Sequence, residues 1–214
     1  MNPSNSNTES ISEERTMNKV RPLGRSTHLT PPNRFEKTHI EIDENNRRMQ
    51  TKFFRDNSQN ILTENNSPDI DFRYSLNPYR GCEHGCIYCY ARPTHEYLGF
   101  SAGLDFETKI VIKHNAAQLL EKTFQKHSWK PQTIALSGNT DCYQPVERKL
   151  KLTQECLRIF LGFQNPVSII TKNHLVMRDV DILSKLAAMD LVSVTVSVTT
   201  LLPELATAME PRAS

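Results

Sequence analysis

From Phe72 onward the chain alternates short β-branched runs with segments of helical period, the order of a parallel sheet with crossover helices. This pattern constrains the fold most, because parallel neighbours cannot be joined by a tight hairpin and need a connection of helix length. Four units are legible. Residues 74–77 form a first strand leading into a loop. Residues 109–113 are a minor extra strand, after which Asn115 caps a helix over 116–126 with Gln118 at the capping-box position. Residues 133–137 are the second main strand. Thr153 then caps a helix to about Leu161, where Gly162 takes the left-handed stop. Residues 167–171 are the third strand, followed by a helix near 179–189 that buries Ile182, Leu183, Leu186 and Ala187. Residues 191–198 are the fourth.

In that fourth strand Val192, Val194, Val196 and Val198 alternate with Ser193, Thr195, Ser197 and Thr199. A parallel strand covered on both faces is apolar throughout. The hydroxyl row therefore fits a barrel whose lumen holds a polar ligand, or a half-exposed strand. Upstream, residues 1–33 are poor in large apolar side chains and read as a disordered tail, and 34–71 as an extended polar arm. Residues 72–214 are the core, one domain by length.

The 26 basic and 24 acidic residues leave a net charge of +2, too little to impose a steering field toward nucleic acid or anionic membrane. No apolar run approaches the roughly 18 residues of a membrane span. The first residues lack a signal-peptide core. The expectation is a soluble cytoplasmic protein with no membrane contact.

Three of the five cysteines, Cys82, Cys86 and Cys89, fall within eight positions as C-x3-C-x2-C. That suits a metal or redox site better than a disulfide framework. Three thiolates on one loop can each take one iron of a cubane cluster and leave the fourth iron open to a chelating ligand. Gly81 and Gly85 permit the reversals that turn the sulfurs inward. A tetrahedral zinc held by the cysteines with His84 or a distant residue stands as the alternative. Cys156 lies in an amphipathic helix and reads as packing, whereas Cys142 lies in a loop and could face the site.

The run SLNPYRGCEHGCIYCYARPTHEYLGFSAGLDFETKI followed by GNTDCYQPVE resembles the radical-SAM superfamily, in the subgroup related to spore photoproduct lyase, over about residues 67–214. In that resemblance an aromatic residue, here Tyr88, precedes the last cysteine. It implies a partial TIM-like (βα) barrel with about four of six units present, and two cofactors, a 4Fe–4S cluster on Cys82, Cys86 and Cys89 and S-adenosylmethionine (SAM). It further implies reductive cleavage of SAM to a 5′-deoxyadenosyl radical, a lyase-like enzyme, a reductant such as flavodoxin or ferredoxin, and a nucleic-acid lesion or modification substrate. Functional groups of such a barrel sit at the C-terminal strand ends. Gly138, Asn139, Thr140 and Asp141 follow the second strand and align with the motif receiving the methionyl amine. Lys172 follows the third and would pair with the SAM carboxylate, while Ser197 or Thr199 would reach the ribose. Arg80 and Arg92 flank the cysteine loop and His174 stands on the rim; each also reads as an ordinary surface residue.

The resemblance departs from its subgroup at Gly138, which stands where that subgroup has its hydrogen-donating cysteine. Cys142, displaced from it by four residues, is the nearby substitute. The pattern also stops after the fourth strand, which implies a fragment or a chain completed by a partner. A zinc-stabilised binding module and a cluster-binding but inactive fragment are the competing functions.

Overall fold

The computed structural model describes residues 24–27, 29–35, 49–70 and 72–213. The first elements come from the polar arm: β1 (Lys52–Arg55) and β2 (Leu62–Glu64) are short strands that the local composition does not announce. Next come β3 (Tyr74–Leu76), β4 (Tyr79–Arg80), a 3-10 helix over Arg92–Leu98, α1 (Leu104–Thr108) and β5 (Lys109–Ile112). The crossover units follow as α2 (Ala116–Phe124), β6 (Ile134–Leu136), α3 (Glu147–Leu150), α4 (Leu152–Phe163) and β7 (Val167–Thr171). A 3-10 helix over His174–Asp179, α5 (Val180–Ala187), β8 (Val192–Val196) and α6 (Pro203–Met209) complete the order.

Five strands form an open sheet in the order β2-β3-β6-β7-β8, in which β3, β6, β7 and β8 are parallel and β2 is antiparallel. A separate sheet, β1-β5-β4, holds the extra strand. No closed barrel forms among the described residues. Helices α2, α4 and α5 pack on one face of the larger sheet. Leu76, Ile134, Leu136, Val167 and Ile169 share a buried cluster with Leu120 and Phe124 of α2, Leu157 and Phe160 of α4, and Ile182 and Leu186 of α5. Each fully buried side chain of this size contributes about 1.5–3 kcal/mol. Across the other face the register sets Ser75, Ala135, Ser168 and Ser193 side by side, a row of small residues.

The third strand occupies the expected 167–171, and the other boundaries shift by a residue or more. The expected caps are not made. Asn115 gives no side-chain capping bond, and Thr153 lies inside α4, whose N-cap position is taken by Lys151 without a side-chain bond. Instead the Glu147 carboxylate accepts from the amides of Thr153 (3.1 Å) and Gln154 (3.4 Å), while Thr153 Oγ1 donates to the Cys142 carbonyl at 2.6 Å. Gly162 lies inside α4, and Gln164 takes the left-handed stop at φ 49°. The valine row of β8 lies on the helix side of the sheet beside Val167 and Ile169. It is not buried there: as the edge strand, β8 leaves Val194 39% and Val196 54% exposed.

Of the segment expected to be a disordered tail, residues 1–23 lie outside the described residues. Its end docks on the domain, with Arg25, Ser26 and Asn33 buried. Asn33 Nδ2 donates to the carbonyls of Glu96 and Phe100, both at 3.0 Å. Much of the arm, residues 36–48, also lies outside the described residues.

Candidate functional site

The loops that follow β3, β6, β7 and β8 all leave the C-terminal ends of parallel strands, and hydrogen bonds knit them into one rim. The Ser137 amide donates to Leu76 O at 3.1 Å, and the Ser197 amide to Thr171 O at 2.8 Å. Asp141 ties the second loop to the third: its Oδ1 accepts from Thr171 Oγ1 at 2.7 Å and its Oδ2 from the Lys172 amide at 2.9 Å. Thr140 Oγ1 donates to Gly81 O at 2.6 Å. These two candidates thus serve the framework, with their polar atoms committed to neighbouring loops. Gly138 and Asn139 sit on the rim itself. Gly138 holds φ at 135° with open space where a Cβ would be, and its carbonyl accepts from the Tyr90 hydroxyl. Ser137 before it holds φ at 100°, a conformation that side-chain-bearing residues rarely adopt.

The cysteine loop is folded by its surroundings. Gly81 turns at φ 80° where an added Cβ would lie 2.9 Å from Phe106 O, and Gly85 turns at φ 67° where it would lie 2.7 Å from Glu107 Oε2. The Cys82 amide donates to Phe106 O at 2.9 Å. Gln144, fully buried, clamps the loop by accepting from the Glu83 amide (3.0 Å) and donating to Gly81 O (3.2 Å). Arg92 does hold the loop, donating to the Cys86 carbonyl through Nε (3.2 Å) and Nη2 (2.9 Å). Arg80 faces Asp56 at 3.4 Å instead.

Cys82 and Cys86 are buried and Cys89 is partly so; all three are free thiols. Burial, with the nearby Asp141 carboxylate, pushes the Cys82 thiol well above the usual range, partly offset by the backbone at His84 and Asp141. Burial likewise pushes Cys86 up to about 12, against the pull of the Lys172 ammonium. Such thiols ionise when a bound metal supplies the compensating charge. Among the described residues no group of three or more His, Cys, Asp or Glu converges as a single-ion site. A tetrahedral zinc needs its sulfurs about 3.8 Å apart, whereas a cubane takes each thiolate on a separate iron. Three free thiols on one glycine-turned loop are the donor set that a cubane takes, one sulfur to each of three irons.

His84, the candidate fourth zinc ligand, is fully buried and engaged elsewhere. Asn173 Oδ1 accepts from the Leu175 amide at 2.9 Å, which fixes its amide so that Nδ2 donates to His84 Nε2 at 2.9 Å. His84 Nδ1 then faces Asp141 Oδ2 at 3.5 Å.

Tyr88, Lys172 and Thr199 are brought together around a residue the sequence did not single out. Glu210 accepts from the Tyr88 hydroxyl and from Thr199 Oγ1, and lies 3.9 Å from Lys172 Nζ. Burial raises its carboxyl pKa. Lys172 also lies 5.9 Å from the centre of the Tyr88 ring. Glu210 belongs to a strap after α6 that returns to the cysteine loop: the Ile87 amide donates to Met209 O at 3.0 Å and the Arg212 amide to His84 O at 3.3 Å. A cavity of about 490 Å³ opens beside this cluster, lined by Lys172, His174, Ser197, Thr199 and Glu210 with Val196 and Met177. Its size suits a small organic ligand.

Cys142 does not face the site. It is fully buried in the apolar cluster beneath the sheet, its amide donating to Ser137 Oγ at 3.1 Å. It is unavailable as a hydrogen donor to anything on the rim. Cys156 packs in the same cluster, as expected. Glu210 was missed because its contacts span 11 and 122 residues. Gln144 and Glu107 were missed because a polar side chain that clamps a loop leaves no periodic signal.

Residues 76–214 match the sequence model of the radical SAM superfamily. An uncharacterized protein of Mycobacterium tuberculosis is 43% identical over 140 residues, 65% of this chain and 41% of that protein, and its counterpart in Mycobacterium bovis gives the same figures. An uncharacterized protein of Methanocaldococcus jannaschii is 30% identical over 118 residues, 55% of this chain and 42% of the other. The matched segment thus spans less than half the length of these relatives. No solved structure matches.

Proposed function

Because the chain belongs to the radical SAM superfamily, whose cofactors are a 4Fe–4S cluster and SAM, we propose that Cys82, Cys86 and Cys89 hold that cluster and that the rim beside it binds SAM for radical chemistry. The observation that carries this reading is the meeting of the cysteine loop with Lys172, Thr199 and the cavity through Tyr88 and Glu210. When bound, the cluster supplies the electron that splits SAM into methionine and a 5′-deoxyadenosyl radical. The protein's part is to bind, orient and exclude water. Lys172, 17% exposed, offers an ammonium to the SAM carboxylate. Ser197 and Thr199 offer hydroxyls to the ribose. Gly138, free of steric contact, leaves room for close approach to the backbone beside it.

The finer readings are proposals too. The face opposite α2, α4 and α5, with its row of small residues, supports a partial barrel wall whose lumen is that face. The exposed edge of β8 supports a further chain or segment completing the sheet. Five free cysteines support a reducing, cytoplasmic setting, with a flavodoxin or ferredoxin as electron donor. The resemblance of the cysteine loop to the subgroup of spore photoproduct lyase supports a lyase-like enzyme and a nucleic-acid substrate, for lesion repair or modification. The burial of Cys142 removes it as that reaction's hydrogen donor.

Anaerobic reconstitution with iron and sulfide tests the reading. The expected product is brown, with broad visible absorbance lost in Cys86→Ala, and after reduction it releases 5′-deoxyadenosine from SAM. Colourless protein with one zinc per chain would overturn it. Colour without deoxyadenosine would leave a cluster-binding, inactive piece.

A further inference from the structure

An ionic network reaches the back of the cysteine loop from chain that precedes the matched domain. Its centre is Glu107, fully buried in α1. Glu107 Oε1 accepts from Arg92 Nη2 and from Ser26 Oγ, both at 2.6 Å, and Oε2 accepts from the Ser26 amide at 3.1 Å. Arg92 Nη2 also donates to Ser26 Oγ at 2.8 Å. Arg25 donates through Nη1 to the Glu107 carbonyl at 2.7 Å and through Nη2 to Thr51 Oγ1 at 2.8 Å. Thr51 Oγ1 in turn donates to Glu83 Oε1 at 2.9 Å, and Arg212 Nη1 lies 3.2 Å from the same oxygen. Arg25, Ser26 and Thr51 all lie before residue 76, where the family match begins.

Two features make this network more than a docking contact. First, it terminates on the loop backbone. Arg92 gives two donors to the Cys86 carbonyl, and that carbonyl fixes the peptide plane on which the Cys86 side chain is mounted. Ser26 and Glu107 hold Arg92 in that pose. Second, its charge suits what the loop would carry. Three guanidinium groups, of Arg25, Arg92 and Arg212, stand against two buried carboxylates, of Glu83 and Glu107. The surplus positive charge lies against a loop that becomes anionic when three thiolates take up a cluster.

We infer that Arg25 and Ser26 form a clasp that positions Cys86, through Glu107 and Arg92, and sets how tightly the cluster is retained. This rests on the cluster reading above. The clasp residues touch no reacting atom and act only through the loop. Outer-sphere partners of metal ligands typically change metal retention by about 10- to 100-fold.

The test uses the full chain, reconstituted anaerobically, with Ser26→Ala and Arg25→Gln. Far-ultraviolet circular dichroism and the melting profile report folding. Iron release to a ferrous chelator and the electron paramagnetic resonance spectrum of the reduced protein report the cluster. The expected result is folded protein in both variants, releasing iron roughly 10- to 100-fold faster than the unaltered chain, with an altered spectrum. In the unaltered chain, reconstitution should also slow hydrogen exchange at the Ser26 amide. Wild-type release rates and spectra in both variants would overturn the clasp while leaving the cluster reading intact. Failure of the unaltered chain to take up iron and sulfide would overturn both. If Arg25→Gln does not fold, Ser26→Ala decides alone, since it removes a single hydroxyl.

Discussion

Glu210 accepts a hydrogen bond from Thr199 Oγ1 at 2.6 Å, which joins the loop after β8 to the strap that returns over the cysteine loop. With the Tyr88 hydroxyl on the same carboxylate, one side chain links three segments. Glu210→Ala should therefore loosen the strap. The Ile87 amide, bonded to Met209 O, reports this. Losing about 1.4 kcal/mol of local stability corresponds to roughly tenfold faster hydrogen exchange at Ile87. The Ser137 amide, bonded to Leu76 O at the end of the sheet and away from the strap, should keep its rate. Equal acceleration at both would mean global destabilisation instead.

Lys172 is the cation at the cavity, with Glu210 3.9 Å away as its counter-charge. Lys172→Ala should weaken SAM binding to the reconstituted protein by about 10- to 100-fold, the range of one charge-assisted hydrogen bond of roughly 1.5–3 kcal/mol. Anaerobic equilibrium dialysis measures this directly. Loss of affinity in Lys172→Ala with the cluster absorbance unchanged separates SAM binding from cluster binding.

The sequence made β7 legible because Val167, Ile169 and Thr171 alternate toward a helix-covered core, so burial and residue type agree. In β8 the alternation separated the valines from the hydroxyl row but left their burial open, because alternation records which side a residue takes and not whether a neighbour covers it. Caps failed for a related reason. Asn115 and Thr153 have the right chemistry, yet Glu147 from another element satisfies the start of α4. At the site, Cys82, Cys86 and Cys89 were visible through close spacing. The partners of Arg25, Ser26 and Glu210 were not, because contacts across 11 to 122 positions leave no local pattern.

Glycine substitutions should separate backbone need from space. Gly162 lies inside α4 with nothing within 4 Å of an added Cβ. Gly162→Ala should stabilise the protein by about 0.5–1 kcal/mol through helix propensity and a less flexible unfolded chain. Gly81 combines φ of 80° with a Cβ position 2.9 Å from the Phe106 carbonyl, which itself receives the Cys82 amide. Gly81→Ala should destabilise by roughly 2–4 kcal/mol or prevent folding. Urea midpoints measure both; opposite signs are expected.

His95 should make stability pH-dependent. Its ring is buried between Phe100 and Phe106, with centroids 5.2 and 5.5 Å away, and both ring nitrogens lack hydrogen-bond partners. Burial pushes its pKa down to about 4, opposed by the backbone at Lys109 and by the carboxylate and backbone of Asp105, while the Lys109 ammonium adds weakly to the effect of burial. In the unfolded chain the imidazole titrates near 6.5. Between those values the unfolded state binds the extra proton, so stability is full above about 6.5 and falls as pH drops toward 4. At pH 5 the loss is about 2 kcal/mol. His95→Phe removes the titrating group and the unsatisfied nitrogens while keeping a flat ring. It should unfold at an equal or higher urea concentration at pH 7 and lose less stability than the unaltered chain between pH 7 and pH 5. If the two proteins lose the same amount over that interval, His95 does not carry the dependence and other groups, such as the carboxylates, do.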